Sequence, residues 1–216
     1  MVVSPVTDAR QRILTAAADC IVRDGLAGVR MAAIAREAGV SSGLLHYHFD
    51  TKEQLFAEVL TFSSHLSDEL TVQALDRAGT HPAQRLAAFL DRCLPSDDRL
   101  RHDWLLWQEF EVLSLRQPEL AKASLELYET LYTAVADIVF EGVEAGVFEL
   151  PAREVRTTAE AVVALCDGIG ERVLAPDDLS LADARERVAV AAGRLVGHHG
   201  PLPSPVRDGV YQLSQR

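Results

Sequence analysis

The sequence predicts an all-α protein of about nine helices, divided into a small N-terminal domain and a larger helical one. Three observations carry that expectation. Apolar residues recur at three- and four-residue intervals along most of the chain. No sustained run of β-branched residues alternates with polar ones, as a half-buried strand would require. The breaks between periodic segments are short and marked by glycine, proline or a capping residue.

The first segment, "DARQRILTAAADCIVRDG", places Ile13, Ala17, Cys20 and Ile21 on one stripe and meets a stop at Gly25. "MAAIAREAG" makes a shorter helix closed by Gly39. Ser41 is placed to cap a third helix by accepting a backbone N–H. A fourth starts at "DTKEQLFAEVL", where Asp50 with Glu53, or Thr51 with Gln54, has the spacing of a capping box. We expect it to run from about 51 to 70.

Later helices are longer. "HPAQRLAAFLDRCL" has Pro82 in its first turn, where proline is tolerated. "RLRHDWLLWQEFEVLSLRQ" follows the turn-rich "PSDD", and Pro118 opens a helix expected to reach Gly146. Two more are expected at about 153–174 and 180–197. The domains are then 1–50, 51–200 and a loosely ordered tail, 201–216.

Composition narrows the function classes. The 216 residues are 48% hydrophobic and 25% charged, with a formal net charge of −11. That is the profile of a globular chain. No apolar run approaches the roughly 18 residues of a membrane span, and "MVVSPVTDAR" has no export pattern. Three cysteines at even spacing suit neither a zinc pattern nor a disulfide framework. A cytoplasmic protein is the expectation. The negative total opposes nucleic-acid binding, but its distribution matters more than its size. Residues 1–55 carry six Lys/Arg and six Asp/Glu, so the whole excess lies beyond them.

Within 31–49, two short helices meet at a glycine-containing turn, the geometry of a helix-turn-helix. Ile34, Ala38, Val40 and Leu45 would form its small core, with Ala35 allowing close approach. The second helix would project its N-terminal residues into a major groove. Ser42, Gly43 and Leu44 stand at that tip. His46, Tyr47 and His48 can donate to phosphates, Lys52 adds a cation at the next helix N-terminus, and Phe49 is a core wedge.

The stretch "MAAIAREAGVSSGLLHYHFDTKEQLF", 31–56, resembles the DNA-binding signature of the TetR family of transcriptional regulators. The matching features are Ile34-Ala35, the Ala38-Gly39-Val40-Ser41 turn, the Leu45–Phe49 block and Lys52-Glu53 before Leu55-Phe56. The resemblance implies a homodimer bound to a double-stranded DNA operator, with a ligand-binding and dimerisation domain after the first quarter. It implies DNA contacts at Arg30, Ser41, Ser42, Gly43, Leu44, His46, Tyr47, His48 and Lys52. Arg30 stands where the family commonly has a small hydroxyl residue, and Leu44 where it often has threonine. "WLLWQEF" with "LCDGIG" is similar to the subgroup containing the choline-responsive regulators.

In the larger domain, Trp104, Trp107 and Glu111 can share a helix face, an aromatic wall with a carboxylate suited to a small cationic effector. Phe89, Cys93, Phe110, Tyr128 and Tyr132 are further effector-site candidates; core packing is the bland alternative for all of them. Asp167 lies in an otherwise apolar helix, and Val163, Asp167, Gly170 and Val190 are expected at a dimer interface. Ala161, Ala164, Gly168 and Gly170 would permit close approach there. His198-His199 has no third ligand and suits a helix C-terminus. No catalytic constellation, metal site or cofactor motif stands out. The reading is a regulator, most simply a repressor released by an effector. A constitutive DNA-binding or interaction protein without effector is the alternative.

Overall fold

The computed structural model describes residues 5–205. Among them are nine α-helices and one 3-10 turn, with no strand. The helices are α1 (Pro5–Asp24), α2 (Met31–Glu37), α3 (Ser42–His48), α4 (Lys52–Ala78), α5 (Pro82–Arg92), α6 (Asp98–Ser114), α7 (Pro118–Glu144), α8 (Val155–Leu174) and α9 (Leu181–Leu195). Helix α4 therefore continues eight residues past the expected end. Nothing in "TVQALDRA" breaks a helix, and the stop comes at Gly79, which adopts positive φ.

The chain packs as two compact units. One contains Met1–Asp68 with Arg101–Tyr128; the other contains Glu69–Leu100 with Glu129–Arg216. These limits differ from the sequence division at 50, because much of α6 packs with the N-terminal helices.

The first unit has a single apolar core. Ile13, Leu14, Ala17, Cys20 and Ile21 of α1 meet Ile34 and Ala35 of α2, Leu45 of α3, and Phe49. Leu55, Phe56, Val59 and Leu60 of α4, with Leu106 and Phe110 of α6 and Leu120 of α7, complete it. Polar ties reinforce the packing of α6. The Leu26 N–H, just past α1, donates to Glu109 Oε2 at 2.8 Å. Ser63 donates to Asp103 at 3.3 Å, and His102 Nε2 lies 3.1 Å from Asp19 Oδ1. Arg10 and Glu58 form an ion pair between α1 and α4.

In the second unit, α8 packs along α9. Val162, Val163 and Cys166 of α8, and Ala184, Val188 and Ala192 of α9, are buried. Arg185 donates to Asp91 at 2.7 Å, joining α9 to α5. Gly142 of α7 has no alternative: a Cβ there would sit 2.0 Å from the Phe148 ring. The start of the expected loose tail is packed instead. Leu202 is buried, and its N–H donates to the Ala189 carbonyl at 3.0 Å. Residues 206–216 of that tail lie outside the described residues.

Candidate functional site

The geometry of the helix-turn-helix follows from its turn. Gly39 takes φ +65, a conformation that glycine adopts without a Cβ penalty. The chain then reverses so that the Val40 N–H donates to the Ala35 carbonyl at 3.0 Å. Ser41 caps α3, its Oγ accepting from the Leu44 N–H at 3.1 Å. Leu45 and Phe49 anchor α3 in the core, so the opposite face turns outward. Ser41, Ser42, Gly43 and His46 are exposed, Leu44 is half-buried, and Tyr47 is 77% exposed.

Lys52 opens α4, its Nζ 5.1 Å from the centre of the Phe56 ring. Thr51 caps that helix, accepting from the Gln54 N–H at 3.1 Å, while Gln54 Oε1 accepts from the Asp50 N–H at 3.0 Å. Of the two expected capping pairs, Thr51 with Gln54 forms. Arg30 is exposed at the N-cap of α2, where its donor-only side chain makes no capping hydrogen bond. Arg36, also exposed on α2, is a further cation of this unit that the sequence reading passed over.

His48 departs from the expectation of a phosphate donor. Its ring is half-buried between Tyr47, at 5.3 Å between centroids, and Phe49, at 6.2 Å. Its Nε2 is buried without a hydrogen-bond partner, which leaves Nδ1 as the only nitrogen able to face a phosphate.

The effector-site candidates divide between the units. Trp104, Trp107, Phe110, Glu111 and Tyr128 belong to the first; Phe89, Cys93 and Tyr132 belong to the second. Tyr128 donates to Glu111 Oε1 at 2.7 Å. The Trp107 and Tyr128 rings meet edge to face, 5.6 Å apart. Trp104 is half-buried on the same helix as Trp107. Phe110, by contrast, is packed into the helix-turn-helix core, edge to face with Phe56 at 6.5 Å.

In the second unit, Phe89 is buried and Cys93 closes α5. The Tyr132 ring carries the Arg156 guanidinium 5.0 Å from its centre. Arg156 is held there by Glu129 at 2.8 Å and Glu160 at 2.7 Å. Burial pushes the Tyr132 hydroxyl pKa up, and Asp167 and Glu160 add to the shift. One aromatic face is thus already occupied by the chain's own cation.

The interface candidates need a correction. Val163 is only 3% exposed and Gly170 is also buried, both within this chain, because that side of α8 faces α9 and the unit's core. The outward stripe of α8 is Thr157, Ala161, Ala164, Gly168 and Glu171. Asp167 and Val190 are half-buried. His198 and His199 each have a partner in the chain, the Gly200 carbonyl at 3.2 Å and Glu149 at 3.0 Å. No helix among the described residues is long and apolar enough to cross a membrane.

Comparison with known proteins accounts for both regions. Residues 13–59 match the model of bacterial regulatory proteins of the tetR family, and residues 82–197 match that of the BetI-type transcriptional repressor C-terminal domain. The chain is 28% identical to the HTH-type transcriptional regulator BetI of Rhizobium meliloti (strain 1021) over 201 residues, 91% of this chain and 94% of that one. The BetI of Serratia proteamaculans (strain 568) is 27% identical over 161 residues, 74% of this chain and 78% of that one. A transcriptional regulator from Saccharomonospora viridis, solved in complex with choline, superimposes with a TM-score of 0.77 at 29% identity, covering 84% of this chain and 94% of that one. With a helix-turn-helix of the matching kind and a C-terminal match spanning more than half its length, the chain belongs to the TetR family of DNA-binding transcriptional regulators, with a BetI-type C-terminal domain.

Proposed function

We propose that this regulator is a homodimeric repressor that a small organic cation releases from its operator. The observation that carries the reading is the cluster of Trp107, Tyr128 and Glu111. Two aromatic rings stand edge to face, and the tyrosine hydroxyl is hydrogen-bonded to a carboxylate. Ring faces and a fixed negative charge suit a quaternary ammonium or a protonated amine. The choline bound in the Saccharomonospora viridis relative supports that chemistry.

Position on α6 supplies the link to DNA binding. Leu106 and Phe110 of α6 lie in the helix-turn-helix core, and Glu109 caps the Leu26 N–H. A ligand that draws Glu111 or Trp107 therefore acts on a helix already packed against α1 and α4. It can shift the equilibrium only through unequal affinity for the operator-competent and released states. In the competent state of the dimer, the two α3 helices stand about 34–36 Å apart, one turn of DNA. The second copy meets the outward stripe of α8, whose small residues permit close helix approach.

The test is Glu111→Gln. Its carbonyl still accepts from Tyr128, so the fold is retained while the charge is lost. A cationic ligand should bind at least about fivefold more weakly, since one close charge contact contributes about 1–4 kcal/mol depending on solvation. A neutral ligand should be unaffected. If the effector is an anion, and Glu111→Gln leaves its binding unchanged or improved, the cation reading is wrong.

A further inference from the structure

Asp50, Gln54 and Glu58 stand at four-residue spacing, from the α3–α4 corner into one face of α4, all within the first unit. A chain of hydrogen bonds joins them. Glu58 Oε1 accepts from Gln54 Nε2 at 3.2 Å, and Gln54 Oε1 accepts from the Asp50 N–H at 3.0 Å. A carboxylate can only accept, so Glu58 takes the amide nitrogen of Gln54 and turns the Gln54 carbonyl back toward Asp50. The other oxygen of Glu58, Oε2, accepts from Arg10 Nη2 of α1. That guanidinium lies 5.6 Å from the centre of the Phe49 ring. One carboxylate thus holds two neighbouring residues of the corner, the Phe49 ring through Arg10 and the Asp50 amide through Gln54.

We propose that Glu58 is a positioning residue for operator binding, which sets the end of α3 against the start of α4. The proposal rests on the docking face described above. Tyr47 and His48 precede Phe49, and Lys52 follows Asp50 by two residues. Phosphate contacts fix the register of a protein on the duplex, so donors on both sides of the corner engage together only when their separation is held. Glu58 is an acid and offers DNA nothing to bind; its effect passes through Arg10 and Gln54. Stabilising the fold is not its main contribution. The Arg10 and Glu58 side chains are 47% and 29% exposed, and an exposed ion pair contributes little to stability. What the pair supplies is order at the corner. Without Glu58, the Gln54 amide loses the partner that orients it, and Arg10 loses the carboxylate that holds it over Phe49.

Charge alone predicts the opposite sign for the same substitution. Removing one acid per subunit beside a polyanion should tighten binding, whereas losing a positioning residue should weaken it.

The experiment uses the full chain and the duplex that the parent selects from random DNA. Glu58→Ala should bind that duplex at least about fivefold more weakly, since each of two subunits loses a hydrogen-bonded support of the corner. Its melting midpoint should stay within about 4 °C of the parent's. Gln54→Ala should weaken binding as well. The Gln54→Ala/Glu58→Ala double variant should lose much less than the product of the two single losses, because the residues act in series. Hydrogen exchange should quicken in the peptide spanning 49–55 of Glu58→Ala and stay parent-like in α2. Parent-like binding by Lys52→Ala would overturn the docking face and this proposal with it. Parent-like or tighter binding by Glu58→Ala alone overturns the proposal and leaves the face standing. So does a lowered melting midpoint with unchanged affinity of the folded protein, the mark of a purely structural role. Losses that multiply in the double variant, or weakening without faster exchange at 49–55, overturn it equally.

Discussion

Replacing Tyr47 by phenylalanine, or Lys52 by alanine, separates DNA docking from folding. Tyr47 is 77% exposed, so loss of its hydroxyl should leave stability within about 0.5 kcal/mol of the parent. On DNA, each subunit of a dimer loses one hydrogen bond to a phosphate. At about 0.5–1.5 kcal/mol each, two copies amount to about 1–3 kcal/mol, a weakening of about 5- to 150-fold. Lys52 gives a different signature. Removing one phosphate contact per subunit should lower the slope of log K against log salt by about 1.8. Between about 50 and 200 mM salt, the variant should therefore lose about tenfold less affinity than the parent does. Its Nζ also sits over Phe56, so a stability loss of about 0.5–1 kcal/mol is expected alongside. Fluorescence anisotropy over a salt series, with melting curves for each variant, measures both quantities. Parent-like affinity and salt slope in Tyr47→Phe, Lys52→Ala and the double variant would refute the docking geometry.

Three further outcomes follow from the same packing. Gly43→Ala should fold as well as the parent, because its Cβ would meet nothing nearer than Ser41 Oγ at 3.9 Å. It should nevertheless change which operator is preferred, as seen by sequence selection before and after substitution. Gly168→Glu places a charge where a Cβ meets nothing within 4 Å of its own chain; sedimentation should show folded monomers with much weaker operator affinity. Phe49→Ala empties a fully buried site and should cost about 3–5 kcal/mol in chemical denaturation.

The helices and the helix-turn-helix were legible because their signals are local. Ser41 caps α3, Thr51 caps α4 and Gly39 turns the chain, all within a few residues of what they control. The charged-to-apolar pattern also placed Phe49 and Leu45 in the core. Side-chain partnerships distant in sequence were not legible. Glu109 and Glu111 stand two positions apart on α6, yet one caps Leu26 and the other holds Tyr128. Helical spacing makes Phe110 equally suited to a ligand wall or a core, and only the arrival of Phe56 decides it. For α8, periodicity separates two faces without saying which is inward. Val163 was therefore assigned to an interface although it is buried in its own chain. Tail residue Leu202 went unnoticed among prolines because a single apolar residue has no period to reveal it.

The central claim is that an exposed α3 face, presented twice by a dimer, reads an operator that a cation then releases. Operator selection from random DNA, followed by anisotropy of the selected complex during a choline titration, tests it most directly. Two chains should bind one site with half-sites about 10–10.5 base pairs apart. Choline, or another quaternary ammonium compound, should then lower the affinity by at least tenfold in the parent and far less in Glu111→Gln. Selection that enriches no sequence above non-specific binding, or a selected complex that no cation weakens, would contradict the account.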